Sequence, residues 1–146
     1  YEAARRYSDF REMLARERDL DAVVIATPDH LHAVMAQACM EEGKHVYVQK
    51  PLTWSVHEAR VLERVARETG VVTQMGNQGA SEEPVRRMKE IVDAGLIGDV
   101  HRVYAWTNRP VWPQGIAAPK GKYDIPEELD WDLWLGPAQA IDYNPA

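Results

Sequence analysis

A chain of 146 residues is long enough for one domain with a real core, or one domain and part of another, and its 45% hydrophobic and 27% charged residues are ordinary globular figures. A net charge of −6 with no cationic stripe argues against phosphate-backbone binding, so no nucleic-acid partner is expected. The single cysteine, Cys39, excludes an internal disulfide and a multi-cysteine metal site, and no apolar run approaches the ~18 residues of a membrane span. No metal and no membrane contact are therefore expected. The chain opens at Tyr1 without a methionine or a signal-like segment and reads as a fragment, so its compartment is not recorded in it.

In chain order, Tyr1 to Glu17 is charged and helical in pattern, with Tyr7, Phe10 and Leu14 on one stripe. Asp21 then introduces Ala22-Val23-Val24-Ile25-Ala26-Thr27, an apolar run of the kind buried on both faces of a parallel sheet. Pro28 stops it. Asp29 suits the N-cap of a helix in which Leu31, Val34, Met35, Ala38 and Cys39 form the core face, with Cys39 a packing thiol. Gly43 closes that helix, and His45 to Gln49 follows as a short buried strand of β-branched and aromatic residues.

Pro51 forbids that strand from continuing as a ladder donor, which leaves Lys50 at its carboxyl end. Ser55-Val-His-Glu58 is a capping box, opening a helix with Val56, Ala59, Leu62, Val65 and Ala66 on one side and Gly70 at its end. Val71 to Met75 reads as a third strand and Gly76-Asn77-Gln78-Gly79 as a turn. Ser81 is placed to cap a further helix with a stripe of Val85, Met88, Ile91 and Val92, ended by Gly95.

The three strands centre near residues 25, 47 and 73, a spacing that suits strand, crossover helix, strand. The fold class is then α/β, with a Rossmann-like parallel sheet and flanking helices. Parallel strands put Thr27-Pro28-Asp29, Gln49-Lys50-Pro51 and Gly76-Asn77-Gln78 along one carboxyl edge, where open sheets of this kind bind ligands.

From Asp99 the character changes. Val100 to Thr107 alternates as a two-faced strand would, and four of the five tryptophans lie between 106 and 134. A boundary is expected near 98–100, with residues 1–98 in one domain and 99–146 beginning a second.

Two known patterns place a lysine and proline after a strand. A response-regulator receiver also does so, but receivers normally finish with the helix after that lysine, and here another strand and helix follow. Ala22 to Pro28, His32, Gly43-Lys44-His45-Val46, Lys50-Pro51-Leu52 and Leu96-Ile97-Gly98, taken as an ordered set, resemble the Gfo/Idh/MocA oxidoreductases almost from end to end. Trp112-Pro-Gln-Gly115 and Trp131-Asp-Leu-Trp-Leu-Gly-Pro137 look like one branch of that family.

The resemblance implies a Rossmann domain for NAD or NADP and a C-terminal α/β domain for substrate binding and homo-oligomerisation. It implies hydride transfer between the nicotinamide and a sugar, cyclitol or related polyol. Some relatives of this fold are NAD-dependent glycoside hydrolases, and a non-catalytic cofactor-binding or interaction module is the third reading. Two departures bear on competence: the usual Glu-Lys-Pro is Gln49-Lys50-Pro51 here, and Ala80 follows Gly79 where this branch often has histidine. No Gly-x-Gly-x-x-Gly occurs, so the pyrophosphate turn is not among these residues, NAD and NADP are not distinguished, and the chain alone is expected to be inactive.

Lys50 is the candidate catalytic residue, its ammonium suited to stabilising alkoxide character as hydride leaves. Thr27, Pro28, His32, Gln49, Lys50, Pro51, Asn77 and Gln78 are the candidate cofactor contacts, with His32 equally readable as helix-end packing and His30 as solvated. Arg109, Trp112 and Gln114 are the candidate substrate contacts. Trp131 and Trp134 are expected in the core, Asp130 and Asp132 as solvated or capping residues, and a cis peptide at Lys50-Pro51.

Overall fold

The computed structural model describes residues 3–109 and 115–145. They divide into two compact units, Tyr1–Asn77 with Ile125–Ile141 and Gln78–Asp124 with Asp142–Ala146. The first unit carries the sheet. Its strands β1 (Ala22–Ile25), β2 (His45–Gln49) and β3 (Thr73–Gly76) lie in the order β1-β2-β3, both pairings parallel, with Ile25 opposite Val48 and Gln49 opposite Gly76. The expected α/β class and parallel sheet are what the chain forms.

Helices α1 (Phe10–Arg16), α2 (His32–Glu41) and α3 (Val56–Thr69) complete this unit together with the short α5 (Trp131–Leu135). The core joins Leu14 of α1, Ile25 of β1, Val46 and Val48 of β2, and Leu62 and Val65 of α3 around α2. Each fully buried aliphatic side chain there stabilises the fold by about 1.5–3 kcal/mol. The capping box at the start of α3 is present in full: Ser55 Oγ accepts from the Glu58 N–H at 3.3 Å, and Glu58 reaches back to the Ser55 N–H. Gly70 ends α3 at φ +69°, a left-handed conformation that favours glycine.

Several local expectations are corrected. The first helix begins only at Phe10, because Asp9 is extended and its carboxylate caps the Arg11 N–H at 2.8 Å. Tyr7 stands outside the helix and donates to Glu17. Asp29 does not cap α2; it starts a 3-10 turn, Asp29–Leu31, closed by Leu31 N–H to Pro28 C=O at 2.9 Å. The buried face of α2 is His32, Ala33, Ala36, Cys39 and Met40, whereas Val34 is 42% exposed. That helix is apolar nearly all round, so periodicity alone does not choose between adjacent stripes. The third strand runs Thr73–Gly76 rather than from Val71, although Val72 C=O already accepts from Val46 N–H at 3.0 Å.

The second unit contains a 3-10 turn, Gln78–Ser81, and α4 (Glu83–Asp93). Glu82 rather than Ser81 precedes α4, without a side-chain cap. The expected core stripe of α4 is not buried: Val85, Met88, Ile91 and Val92 are 36–61% exposed. Residues 100–107 form no strand, and Val103, Tyr104 and Trp106 are 72–88% exposed. An alternating segment becomes a strand only when a neighbour supplies the ladder, and none among the described residues does. Lys122 pairs with Asp142 at 3.0 Å, and Tyr123 N–H meets Tyr143 C=O at 3.3 Å.

Candidate active site

The site is built where the parallel strands of the first unit end. Beyond Ile25, β1 runs on to Thr27-Pro28, and beyond Gln49, β2 runs into Lys50-Pro51, whose peptide is cis as expected. Asn77 follows the last residue of β3, so all three segments occupy one carboxyl edge.

Lys50 is exposed and makes no hydrogen bond or ion pair among the described residues. A lysine tied into the fold would carry a carboxylate or carbonyl partner, so this ammonium is free to meet a ligand. Thr27 Oγ1 is buried and has no hydrogen-bond partner among the described residues. An orphaned buried hydroxyl costs roughly 1–3 kcal/mol, a cost that a polar ligand group removes.

His32 is wholly buried and sets both ring nitrogens against backbone carbonyls, Nδ1 2.6 Å from Pro51 C=O and Nε2 2.9 Å from Thr27 C=O. Of its two readings the geometry favours packing: it touches the edge through Thr27 and Pro51, with no surface of its own. His30 is only half-buried but not simply solvated, since Nε2 lies 2.8 Å from Trp134 C=O and the ring leans on that indole.

Gln49 and Tyr47 share the face of β2 that covers Gly76. A Cβ at Gly76 would stand 2.6 Å from Gln49 Oε1 and 2.8 Å from Tyr47 Cε1, so only glycine lets these side chains lie over the end of β3. Tyr47 stands beside this edge without having been among the candidates. Its alternation with Gln49 in a parallel strand was the available signal.

Gln78 and Arg109 belong to the second unit, where Arg109 is exposed and its N–H donates to Thr107 Oγ1 at 3.1 Å. Trp112 and Gln114 fall outside the described residues. Trp131 and Trp134 are not core: Trp134 is 42% exposed, Trp131 is half-buried, and the rings stack at 4.8 Å. A short amphipathic α5 buries only Leu135. Asp130 caps α5 by accepting from Leu133 N–H at 2.9 Å, the capping role expected of it. Among the described residues no group of three or more His, Cys, Asp or Glu side chains is placed to hold a metal ion, and no helix is long and apolar enough to cross a membrane.

Residues 1–77, just over half of the chain, match the oxidoreductase family described as having an NAD-binding Rossmann fold. The chain belongs to the Gfo/Idh/MocA oxidoreductase family. It is 43% identical over 77 residues to 4-carboxy-2-hydroxymuconate-6-semialdehyde dehydrogenase of a Sphingobium species, a match covering 53% of this chain and 24% of that one. It is 32% identical over 102 residues to scyllo-inositol 2-dehydrogenase (NAD(+)) of Bacillus subtilis, covering 70% and 27%. Among solved structures, the WlbA dehydrogenase of Bordetella pertussis in complex with NADH and UDP-GlcNAcA superposes with a TM-score of 0.62 at 28% identity, over 65% of this chain and 27% of that one. The chain thus spans about a quarter of the length of these relatives.

The Gfo/Idh/MocA cofactor is NAD or NADP, and this edge fits part of it. The orphaned Thr27 hydroxyl and the free Lys50 ammonium are suited to ribose or amide oxygens. The glycine-rich turn that cradles a pyrophosphate is not among these 146 residues.

Proposed function

We propose that the protein carrying this chain is an NAD- or NADP-dependent oxidoreductase that moves hydride between the nicotinamide and a carbon of a sugar, cyclitol or related polyol. The observation that carries this reading is the Lys50 ammonium, without a partner among the described residues, at the carboxyl end of the central strand. When bound, the nicotinamide supplies the hydride acceptor or donor. Lys50 holds the reacting hydroxyl and stabilises negative charge developing on its oxygen, which is where a preorganised cation contributes most. Thr27 Oγ1 and the amides of Asn77 and Gln78 orient the cofactor, and Pro28, Gln49 and Pro51 shape its wall. Arg109, Trp112 and Gln114 are the proposed substrate contacts.

In this reading residues 1–98 are the later part of the dinucleotide-binding domain. Residues 99–146 begin an α/β domain that binds substrate and joins copies into a homo-oligomer. The dehydrogenase and inositol-dehydrogenase names of the relatives support the reaction class.

The test is Lys50→Ala in the intact protein, assayed against a panel of sugars and cyclitols. Turnover is expected to fall about 100-fold, the usual cost of one charge-stabilising donor. The melting temperature should hardly move, because an exposed strand-end lysine contributes little to the core. Unchanged turnover sinks the reading.

A further inference from the structure

The ladder between β1 and β2 ends at Ile25 and Val48, so it does not itself hold Thr27 against the Lys50-Pro51 turn. His32 makes that connection. It starts α2, is 0% exposed, and spans from Thr27 C=O at 2.9 Å to Pro51 C=O at 2.6 Å. Carbonyl oxygens only accept, so the ring donates from whichever nitrogen carries its proton, and imidazole presents its two nitrogens on different sides of a small rigid ring. Lys50 is therefore fixed from two directions. The β2–β3 ladder holds Gln49 on its amino side, opposite Gly76, and His32 holds Pro51 on its carboxyl side.

We propose that His32 is the positioning residue for Lys50, acting on the reaction through the Pro51 carbonyl and touching neither substrate nor cofactor. The inference rests on the reading of Lys50 given above. It assigns His32 more than helix-end packing: the ring sets where the ammonium stands relative to the Thr27 end of β1. A displacement of about 1 Å at a reacting group lowers turnover as much as 100-fold, so a bond made to the adjacent residue is enough to matter.

The experiment is a double-mutant cycle in the intact enzyme with His32→Gln, Lys50→Ala and the double variant, read as kcat, KM and melting temperature. Gln keeps an amide donor for one of the two carbonyls, and His32→Asn serves as the second variant. His32→Gln alone is expected to lower kcat roughly 10- to 100-fold with KM nearly unchanged. In the Lys50→Ala background the same change should lower kcat by less than about twofold, since residues acting as one unit are not additive. An equal loss in both backgrounds overturns the assignment and leaves the Lys50 reading intact. Unchanged turnover in Lys50→Ala alone removes the proposed function and this inference with it. If neither His32 variant yields folded protein, His32 is a stability residue and the positioning role falls.

Discussion

Gly76 is where a single atom decides the packing of the candidate site. An alanine Cβ there meets Gln49 Oε1 at 2.6 Å and the Tyr47 ring at 2.8 Å, both inside contact distance. Gln49 can swing its amide aside, whereas the larger Tyr47 ring has to shift as a rigid body. Gly76→Ala should therefore destabilise the protein by about 1–3 kcal/mol, the usual cost of overpacking, visible as a lower denaturant midpoint. An unchanged midpoint means that Tyr47 yields freely. Cys39 offers a second test at this scale. It is 1% exposed, and burial pushes its thiol pKa up. The folded state then holds the thiol proton more tightly than the unfolded state. That contribution is complete below the ordinary thiol pKa and is lost as pH rises through the raised value. Iodoacetamide should label Cys39 slowly in native protein and quickly in urea, as read by mass spectrometry; equal rates contradict the burial. The packing role of this thiol was legible from its place among apolar helix residues. The double carbonyl contact of His32 was not, because Pro51 is 19 residues away and only the folded turn brings its oxygen there.

At the scale of elements, local chemistry was legible and tertiary partnership was not. Ser55 and Glu58 sit three residues apart ahead of an apolar stripe, and that spacing alone is enough to specify the capping box. Ser55→Ala should cost about 1 kcal/mol by leaving the Glu58 N–H without its acceptor, measured by thermal or urea unfolding. Stability equal to wild type would mean that water caps the helix as well as serine does. Parallel strands were equally readable, since Ala22–Ile25 and His45–Gln49 are short apolar runs separated by one helix. Their carboxyl ends, and hence the candidate site, followed from that topology. The failures share a cause. Residues 100–107 alternate as a strand does and α4 is amphipathic, yet strand and buried stripe both require something to pair with or pack on. Sequence periodicity records that a face is apolar, never what covers it. In α2 the limit was different: too many apolar positions left two adjacent stripes equally good, and Leu31 was assigned to the helix when it closes the turn before it.

At the scale of the whole molecule, the apolar surface left open dictates how the 146 residues behave by themselves. The first unit has a true core, with Ala36, Cys39, Met40 and Val48 at most 1% exposed, so the chain has a reason to collapse. Its sheet is nevertheless open at both edges: among the described residues β1 and β3 each pair only with β2, and Val24 of β1 is 73% exposed. An unpaired edge strand of β-branched residues is a template for another chain. Leu96 at 74%, Val103 at 78% and Trp106 at 88% exposure add adhesive surface in the second unit. Net charge of −6 opposes association, but charge repulsion between molecules is screened within about 8 Å at physiological salt, whereas edge pairing acts at contact. Collapse with an open edge favours self-association over a stable monomer. Expressed alone, the chain should sediment as concentration-dependent oligomers or aggregates. It should also bind NADH too weakly to measure, because the three strand ends offer groups for only part of the cofactor and no glycine-rich turn for its pyrophosphate. A monomer that unfolds cooperatively and binds NADH would show that the β1 edge is protected and that the phosphates are held by groups other than that turn.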